Sequence, residues 1–300
     1  MTIQETPASQ IKEDRFWLYR RKLGDFWRLF RRSSLGKLGL ALVLSFVMLA
    51  LAAPWIAPFD PFTFVGDPFL KPSSTYIFGT DQVGRDIFSR VIYGTRISLL
   101  VGLVASAMTV CLGTLVGLVA GYLGGRIDNL LMRITDLFII IPALPLMLIM
   151  AAILGKGVQN IIIVIAVIGW TATARMVRSQ TMSLKERPFT EASRAIGSTD
   201  LHTISRHIVP NVFPLVFANG MIAIVDAILS EAGLSFLGFG DPSRPSWGMV
   251  LYFANTAGAT VNGYWWYIVP PGICIMLLVM GFAFVSYSTD QILNPRLRRR

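Results

Sequence analysis

The chain has 300 residues, of which 54% are hydrophobic and only 15% charged, with a mean hydropathy of +0.60 and a net charge of +10. Soluble domains carry roughly 25% charged residues, so this composition excludes an ordinary water-soluble enzyme and points to lipid as the solvent. A basic balance reads either as nucleic-acid binding or as the positive bias of cytoplasmic membrane-protein loops, and the placement of the charges decides between them.

Residues 1–37 contain no apolar core of signal-peptide length before a cleavage site, so the first long apolar run reads as a retained anchor. Within this segment Phe16, Tyr19, Leu23, Phe26, Trp27 and Phe30 recur at helical spacing, interleaved with Arg20, Arg21, Lys22, Arg28, Arg31 and Arg32. That pattern predicts an amphipathic helix lying on the inner leaflet, with a solvated tail as the plainer alternative. Six apolar segments follow, over about 38–56, 97–122, 133–154, 158–179, 212–233 and 265–288. Each approaches the ~20 residues that cross hydrocarbon. Backbone polar groups in lipid must be paired within the segment, so six transmembrane helices and an all-α membrane domain over 38–300 are predicted.

Lys and Arg set the orientation. With the N-terminus cytoplasmic, nine precede the first span, two more are Arg126 and Arg133, six lie from Arg175 to Arg206 and four close the chain, so 21 of 27 face the cytoplasm. An N-in, C-in topology follows from the positive-inside rule. The charge run is thereby used by topology, and nucleic acid is not an expected partner.

Three features inside the apolar segments stand out. Ala105, Thr109, Gly113, Gly117, Gly121 and Gly125 recur every four residues, a spacing that lets helix backbones approach closely. Asp226 and Glu231 lie in the fifth span, where a carboxylate is costly and faces protein or water; a polar pathway lining or a cap at the outer loop is favoured over an ion relay. Cys111 and Cys274 read as small buried thiols. His202 and His207 are five apart with no ligand cluster beside them, so no metal is expected. The chain has no Gly-Lys-Ser/Thr phosphate loop, and no Ser/His/Asp constellation can be drawn from two His on one loop, so neither an ATPase nor a hydrolase site is expected.

The inner loop over 181–211 carries Glu191-Ala192-Ser193-Arg194-Ala195-Ile196-Gly197, then Ser198-Thr199-Asp200, and later Ile208-Val209-Pro210. Thr190 is the expected N-cap of a short helix and Gly197 its stop. Ser198, Thr199 or Asp200 would cap a second helix, and Pro210 would mark the turn back into the membrane. This helix–Gly–helix elbow has the shape of a docking element.

Here the sequence resembles a known family. Glu-Ala-Ser-x-x-x-Gly followed by Ile-Val-Pro is similar to the EAA motif of binding-protein-dependent ABC importer permeases, with Ser193 for the second Ala and Val209 for the motif's Leu. The stretch from Phe78 to Arg90, the stretch Leu234-Ser235-Phe236-Leu237-Gly238-Phe239-Gly240 with Pro245-Ser246-Trp247-Gly248, and the terminal Leu293-Asn294-Pro295-Arg296-Leu297 resemble the C-type permease of the dipeptide/oligopeptide subfamily. The likeness runs from about Leu38 to Leu297.

This resemblance implies a type I importer permease in the cell membrane that pairs with a homologous B-type permease. Two cytoplasmic ABC ATPases would drive it, with ATP and Mg bound on those subunits and no cofactor on this chain. An extracytoplasmic binding protein would deliver the cargo, peptides first, with oligosaccharides or nickel as alternatives. The implied ATPase-coupling residues are Glu191, Ala192, Ser193, Gly197 and Pro210. Asp81, Gly84, Arg85 and Asp86 would lie at the mouth, bracing the outer loop rather than contacting the binding protein. An ion-driven secondary transporter is the competing class, and it would need a stronger relay than Asp226 and Glu231.

Overall fold

A computed structural model of the chain describes residues 27–293. Of the amphipathic segment expected over 15–32, only a helical turn over 27–30 and the residues after it fall among them. The remainder, and the terminal Asn294-Pro295-Arg296-Leu297, lie outside the described residues. Ten helices follow in order: α1 (Ser34–Ile56), α2 (Ile87–Leu123), α3 (Gly125–Ile140), α4 (Ala143–Leu154), α5 (Val158–Lys185), α6 (Pro188–Ala195), α7 (Asp200–Thr203), α8 (Val209–Phe236), α9 (Trp247–Thr256) and α10 (Trp265–Leu293). Among the described residues the sole extended pairing is an isolated bridge between Thr80 and Asp86. This is a multi-pass, all-α membrane protein.

Five helices are long and apolar enough to cross a bilayer, and the bent pair α3–α4 makes a sixth crossing if counted as one span. The expected straight span over 133–154 is therefore corrected. Its two halves meet at 93°. Ile141 is extended (φ −80°, ψ 126°) and Pro142 follows. The ring of a proline disfavours the α conformation of the preceding residue, which ends α3 there. Helix α4 alone has 12 residues, about 18 Å at 1.5 Å per residue, too short for ~30 Å of hydrocarbon. Helix α3 is the charged half, with Arg126, Asp128, Arg133 and Asp136.

Two further boundaries move. Helix α2 starts ten residues before the expected span, because the Asp86 carboxylate caps it by accepting from Ser89 N at 2.7 Å. At Pro210 the chain does not turn. The short helix α7, a π turn over Ile204–Ile208 and α8 run on as one helix from Asp200 to Phe236. In the π turn Val209 N bonds back to Ile204 O, and this extra residue per turn accommodates a proline that would otherwise clash with the preceding turn.

The bundle is built on the contact of α2 with α5. Added Cβ atoms at Gly113, Gly117 and Gly121 would lie 2.6 Å from Trp170 O, 2.6 Å from Ala174 O and 2.7 Å from Arg178 O. The two backbones touch along three successive turns, which only glycine permits. Thr109 continues the seam against Gly169, with its Cγ2 at 3.1 Å from the position of an added Cβ there. Gly125, expected in the same stripe, does not belong to it. Helix α2 ends at Leu123, and Gly125 opens α3 with φ +57° and nothing within 4 Å of a Cβ. On the other flank Gly102 receives Ile228 of α8, and Gly39 of α1 meets the Gly281 carbonyl of α10 at 2.6 Å from its Cβ position. The Ser33 and Ser288 hydroxyls lie 2.9 Å apart, so the start of α1 and the end of α10 share one end of the bundle.

Replacing Gly117 by Leu forces a side chain into the Ala174 carbonyl. It is expected to destabilise the protein by at least ~1–3 kcal/mol, read as a lower midpoint of thermal unfolding in detergent. Gly233→Ala, where nothing lies within 4 Å of the added Cβ, leaves the midpoint unchanged or raises it. Equal behaviour of the two variants would contradict the backbone seam.

Candidate functional site

The elbow between α5 and α8 is the first candidate. Helix α6 starts at Pro188, whose fixed φ suits the first helical position. Thr190 is therefore not the N-cap expected; Arg187 occupies that place. The Thr190 hydroxyl instead reaches back and donates to Leu184 O at 2.8 Å, pinning the elbow to the end of α5. Gly197 closes α6 with φ +84°. Ser198 N bonds to Ser193 O and Gly197 N to Arg194 O, the paired pattern of a Schellman stop. Thr199 caps α7 by accepting from His202 N at 3.3 Å.

A second brace joins the elbow to the seam. At the end of α2 the Tyr122 hydroxyl donates to Asp200 Oδ1 at 2.7 Å. The cations of Lys185 and Arg194 stand 5.6 and 5.1 Å from the same ring. Arg178 of α5 holds Asp128 of α3 through two bonds, one of 2.6 Å from Nη2. Arg175 pairs with Asp136 one turn away. The bent half-span, the seam and the elbow are thus linked by charge-assisted bonds at a single end of the molecule.

On that braced elbow Glu191 and Ala192 are exposed, Ser193 is buried and Pro210 exposed. Three large apolar side chains also face outward, Phe189 at 42%, Leu201 at 76% and Ile196 at 84% exposure. These three side chains leave apolar surface open on a charged end of the molecule. Sequence pattern alone does not single them out, because each sits apart from other large apolar residues.

The opposite end holds the outer loop. Asp81, Gly84, Arg85 and Asp86 come together there. Asp81 is fully buried and accepts from Val83 N and Arg85 N at 2.9 Å, from Arg85 Nε at 2.7 Å and from Arg90 Nη1 at 2.8 Å. Gly84 has φ +82°, and a Cβ there would sit 2.0 Å from Gly66 O, so the turn requires glycine. Both guanidinium groups lie over Phe253 of α9, at 5.5 and 5.2 Å. The Tyr267 hydroxyl of α10 donates to Gln82. The loop is a folded plug tied to α9 and α10, and Arg90, 1% exposed, is a member that spacing alone did not reveal.

Glu231 and Asp226 have separate surroundings. Glu231 is 1% exposed and accepts from Ser235 Oγ at 2.7 Å and from Ser98 Oγ at 3.3 Å. Ser98 Oγ in turn accepts from Trp247 N at the start of α9. Glu231 therefore ties α8, α2 and α9 together inside the protein. Asp226 is exposed on α8 and borders a cavity with Asn219 and Ser230. Among the described residues no group of three or more His, Cys, Asp or Glu could hold a metal ion.

Comparison with known proteins assigns this architecture. Residues 113–299 match the family described as binding-protein-dependent transport system inner membrane component. Residues 22–72 match the N-terminal TM domain of oligopeptide transport permease C. The dipeptide transport system permease protein DppC of Bacillus subtilis (strain 168) is 34% identical over 92% of this chain and 86% of its own length. The di/tripeptide transport system permease protein DppC of Pseudomonas aeruginosa (strain UCBPP-PA14) is 34% identical over 99% of this chain and 98% of its own. The glutathione transport system permease protein GsiD of Escherichia coli O6:K15:H31 is 37% identical over 91% and 90%. Among solved structures, the inward-facing MetNI methionine ABC transporter superposes with a TM-score of 0.55, 20% identity, and coverage of 71% of this chain and 98% of that one, a likeness of fold.

Removing the Asp81 carboxylate leaves Arg90 buried without its partner. Asp81→Ala is expected to cost about 3–5 kcal/mol, measured by denaturant unfolding in detergent. Arg85→Ala, whose side chain is 14% exposed, costs distinctly less. Coincident unfolding curves for the two variants would show that the plug is not held by Asp81.

Proposed function

This chain belongs to the family of binding-protein-dependent transport system inner membrane components, the permease subunits of ABC importers, and on that premise we propose that it carries peptides across the cell membrane. The cargo reading rests on its relatives, whose names specify dipeptide, di/tripeptide and glutathione transport. In this reading the chain pairs with a homologous B-type permease, and the pathway lies between the two. A binding protein presents the peptide at the outer plug. Two cytoplasmic ATPases bind ATP and Mg, and this chain performs no catalysis and holds no cofactor. The N-in, C-in topology puts the elbow on the cytoplasmic face, beside the ATPases.

The observation that carries the coupling role is the elbow itself, exposed on its outer face and anchored on its inner one. Phe189, Ile196 and Leu201 offer apolar surface to a groove on the ATPase, and Glu191 adds a site for charge-assisted bonds. Gly197 sets the angle between α6 and α7. Thr190 and Tyr122 transfer displacement of the elbow to α5 and α2, and Arg178 passes it from α5 to α3. When the ATPases close on ATP, the elbows approach one another, the permease subunits rotate as near-rigid bodies, and the pathway opens to the other side.

The test is ATP-dependent peptide uptake into proteoliposomes holding the chain with its co-encoded partners. Glu191→Lys combined with Gly197→Asp is expected to reduce uptake by about tenfold or more, while the complex still assembles in the membrane. Uptake indifferent to these two changes would contradict the coupling role. Uptake indifferent to ATP but dependent on an ion gradient would contradict the ATP-driven cycle.

A further inference from the structure

Asp226 sits within a membrane span, and among the described residues it makes no ion pair or hydrogen bond with a cation. Such a carboxylate is costly in hydrocarbon and belongs against water or a counter-charge. Asn219, Asp226 and Ser230 are spaced by seven and four residues, which places them on one face of α8. They border a cavity of about 90 Å³ whose opposite wall is built from the α2–α5 seam, with Thr109, Gly169 and Thr173. Asn219 Nδ2 donates to Thr173 Oγ1 at 2.8 Å, so its carbonyl oxygen is left as an acceptor. Thr109 is 6% exposed, and its Oγ1 is buried with no hydrogen-bond partner, a second polar group waiting in the same cavity.

Asn219 and Ile222 also border a larger cavity of about 390 Å³, which extends between α8 and α10 to Tyr287 and Asp290. The two spaces thus share wall residues on α8, and each places a few polar groups on a mostly apolar lining. The smaller chamber holds a volume of about three waters, enough for an ammonium group and its first carbons. The larger one falls at the lower end of the range for small-ligand sites.

We propose that Asp226, with the oxygens of Asn219, Ser230 and Thr109, is a recognition site for the cationic amine of the cargo inside the translocation pathway. A carboxylate, an amide oxygen and two hydroxyls give acceptors around a group that has three donors and no acceptor. The α-amino group of a peptide is mostly protonated at neutral pH. Asp226 thereby discriminates for a free N-terminus after the binding protein has released its peptide. The proposal rests on the peptide reading above and adds a residue that selects within it.

The experiment uses the full complex in proteoliposomes, energised with ATP. Uptake of alanine di- and tripeptides is compared with that of their N-acetyl analogues for wild type, Asp226→Asn and Asp226→Glu. Each variant is expressed relative to wild type on the same peptide, which cancels any preference of the binding protein. Asp226→Asn is expected to lower free-amine uptake by about tenfold or more, with the N-acetyl ratio near one and Asp226→Glu largely restored. If both peptide classes fall together, Asp226 pairs with a cation of the partner permease or serves the fold, and the proposal is overturned. If neither falls, Asp226 does not meet the cargo. Failure of the wild-type complex to carry any of these peptides would overturn the peptide reading itself, and this site's cargo with it.

Discussion

The backbone contact between α2 and α5 is the constraint on which the rest of the structure depends. Three glycines of α2, at successive turns, place its surface within 2.6–2.7 Å (measured to an added Cβ) of carbonyl oxygens on α5. In lipid no hydrophobic effect drives helices together, so close packing and short polar contacts must hold them. A long seam of this kind resists sliding and bending, because any shift by a fraction of a turn replaces a glycine with a Thr, Leu or Val. The pair is the rigid beam against which the bent span α3–α4, the elbow and α8 are arranged.

Polar pins occur where that beam meets the elbow, the bent span and α8. At the basic end Tyr122, Arg178 and Thr190 bind the elbow and α3 to it. At the other end Asp81 gathers Arg85 and Arg90 against Phe253, so the outer loop is fastened to α9 and α10. Between them Glu231 joins α8, Ser98 of α2 and the start of α9. Asp81, Arg90, Thr190 and Glu231 are buried with specific partners, and such contacts are costly to break singly, which favours motion of whole blocks over local bending. In the proposed importer cycle such a block would carry force applied at the elbow to the rest of the bundle.

Much of this was legible in the sequence. Apolar runs located the long helices because lipid demands about 20 such residues per crossing, and the four-residue period of small side chains identified the face that α5 occupies. The elbow was legible through Gly197 and the Ser198-Thr199-Asp200 run, whereas the first cap falls to Arg187 rather than Thr190 because Pro188 starts the helix. Other features depend on tertiary context that one sequence does not encode locally. The 93° break at Pro142 is invisible to hydropathy, since the two halves taken together pass as one apolar span. Proline at 210 suggested a turn, whereas a π turn absorbs it. Arg90 and Tyr122 look like an ordinary outer charge and a span-end aromatic until the fold brings Asp81 and Asp200 to them. Gly125 shared the period of the stripe but lies past the end of α2, where period no longer implies face.

The account treats the elbow and the α2–α5 beam as one body that moves relative to the rest of the complex. Spin labels at Lys156, which precedes α5 at its outer end, and at Ile196 on the elbow test this directly by pulsed distance measurement in the assembled complex, with and without ATP. The account predicts that the distance distribution between these two positions stays the same in both states, while the distance from Ile196 to a label on the partner permease's elbow shortens on ATP binding. A change in the Lys156–Ile196 distance with nucleotide would mean that the elbow swings on its own, and would contradict rigid transmission through the glycine seam.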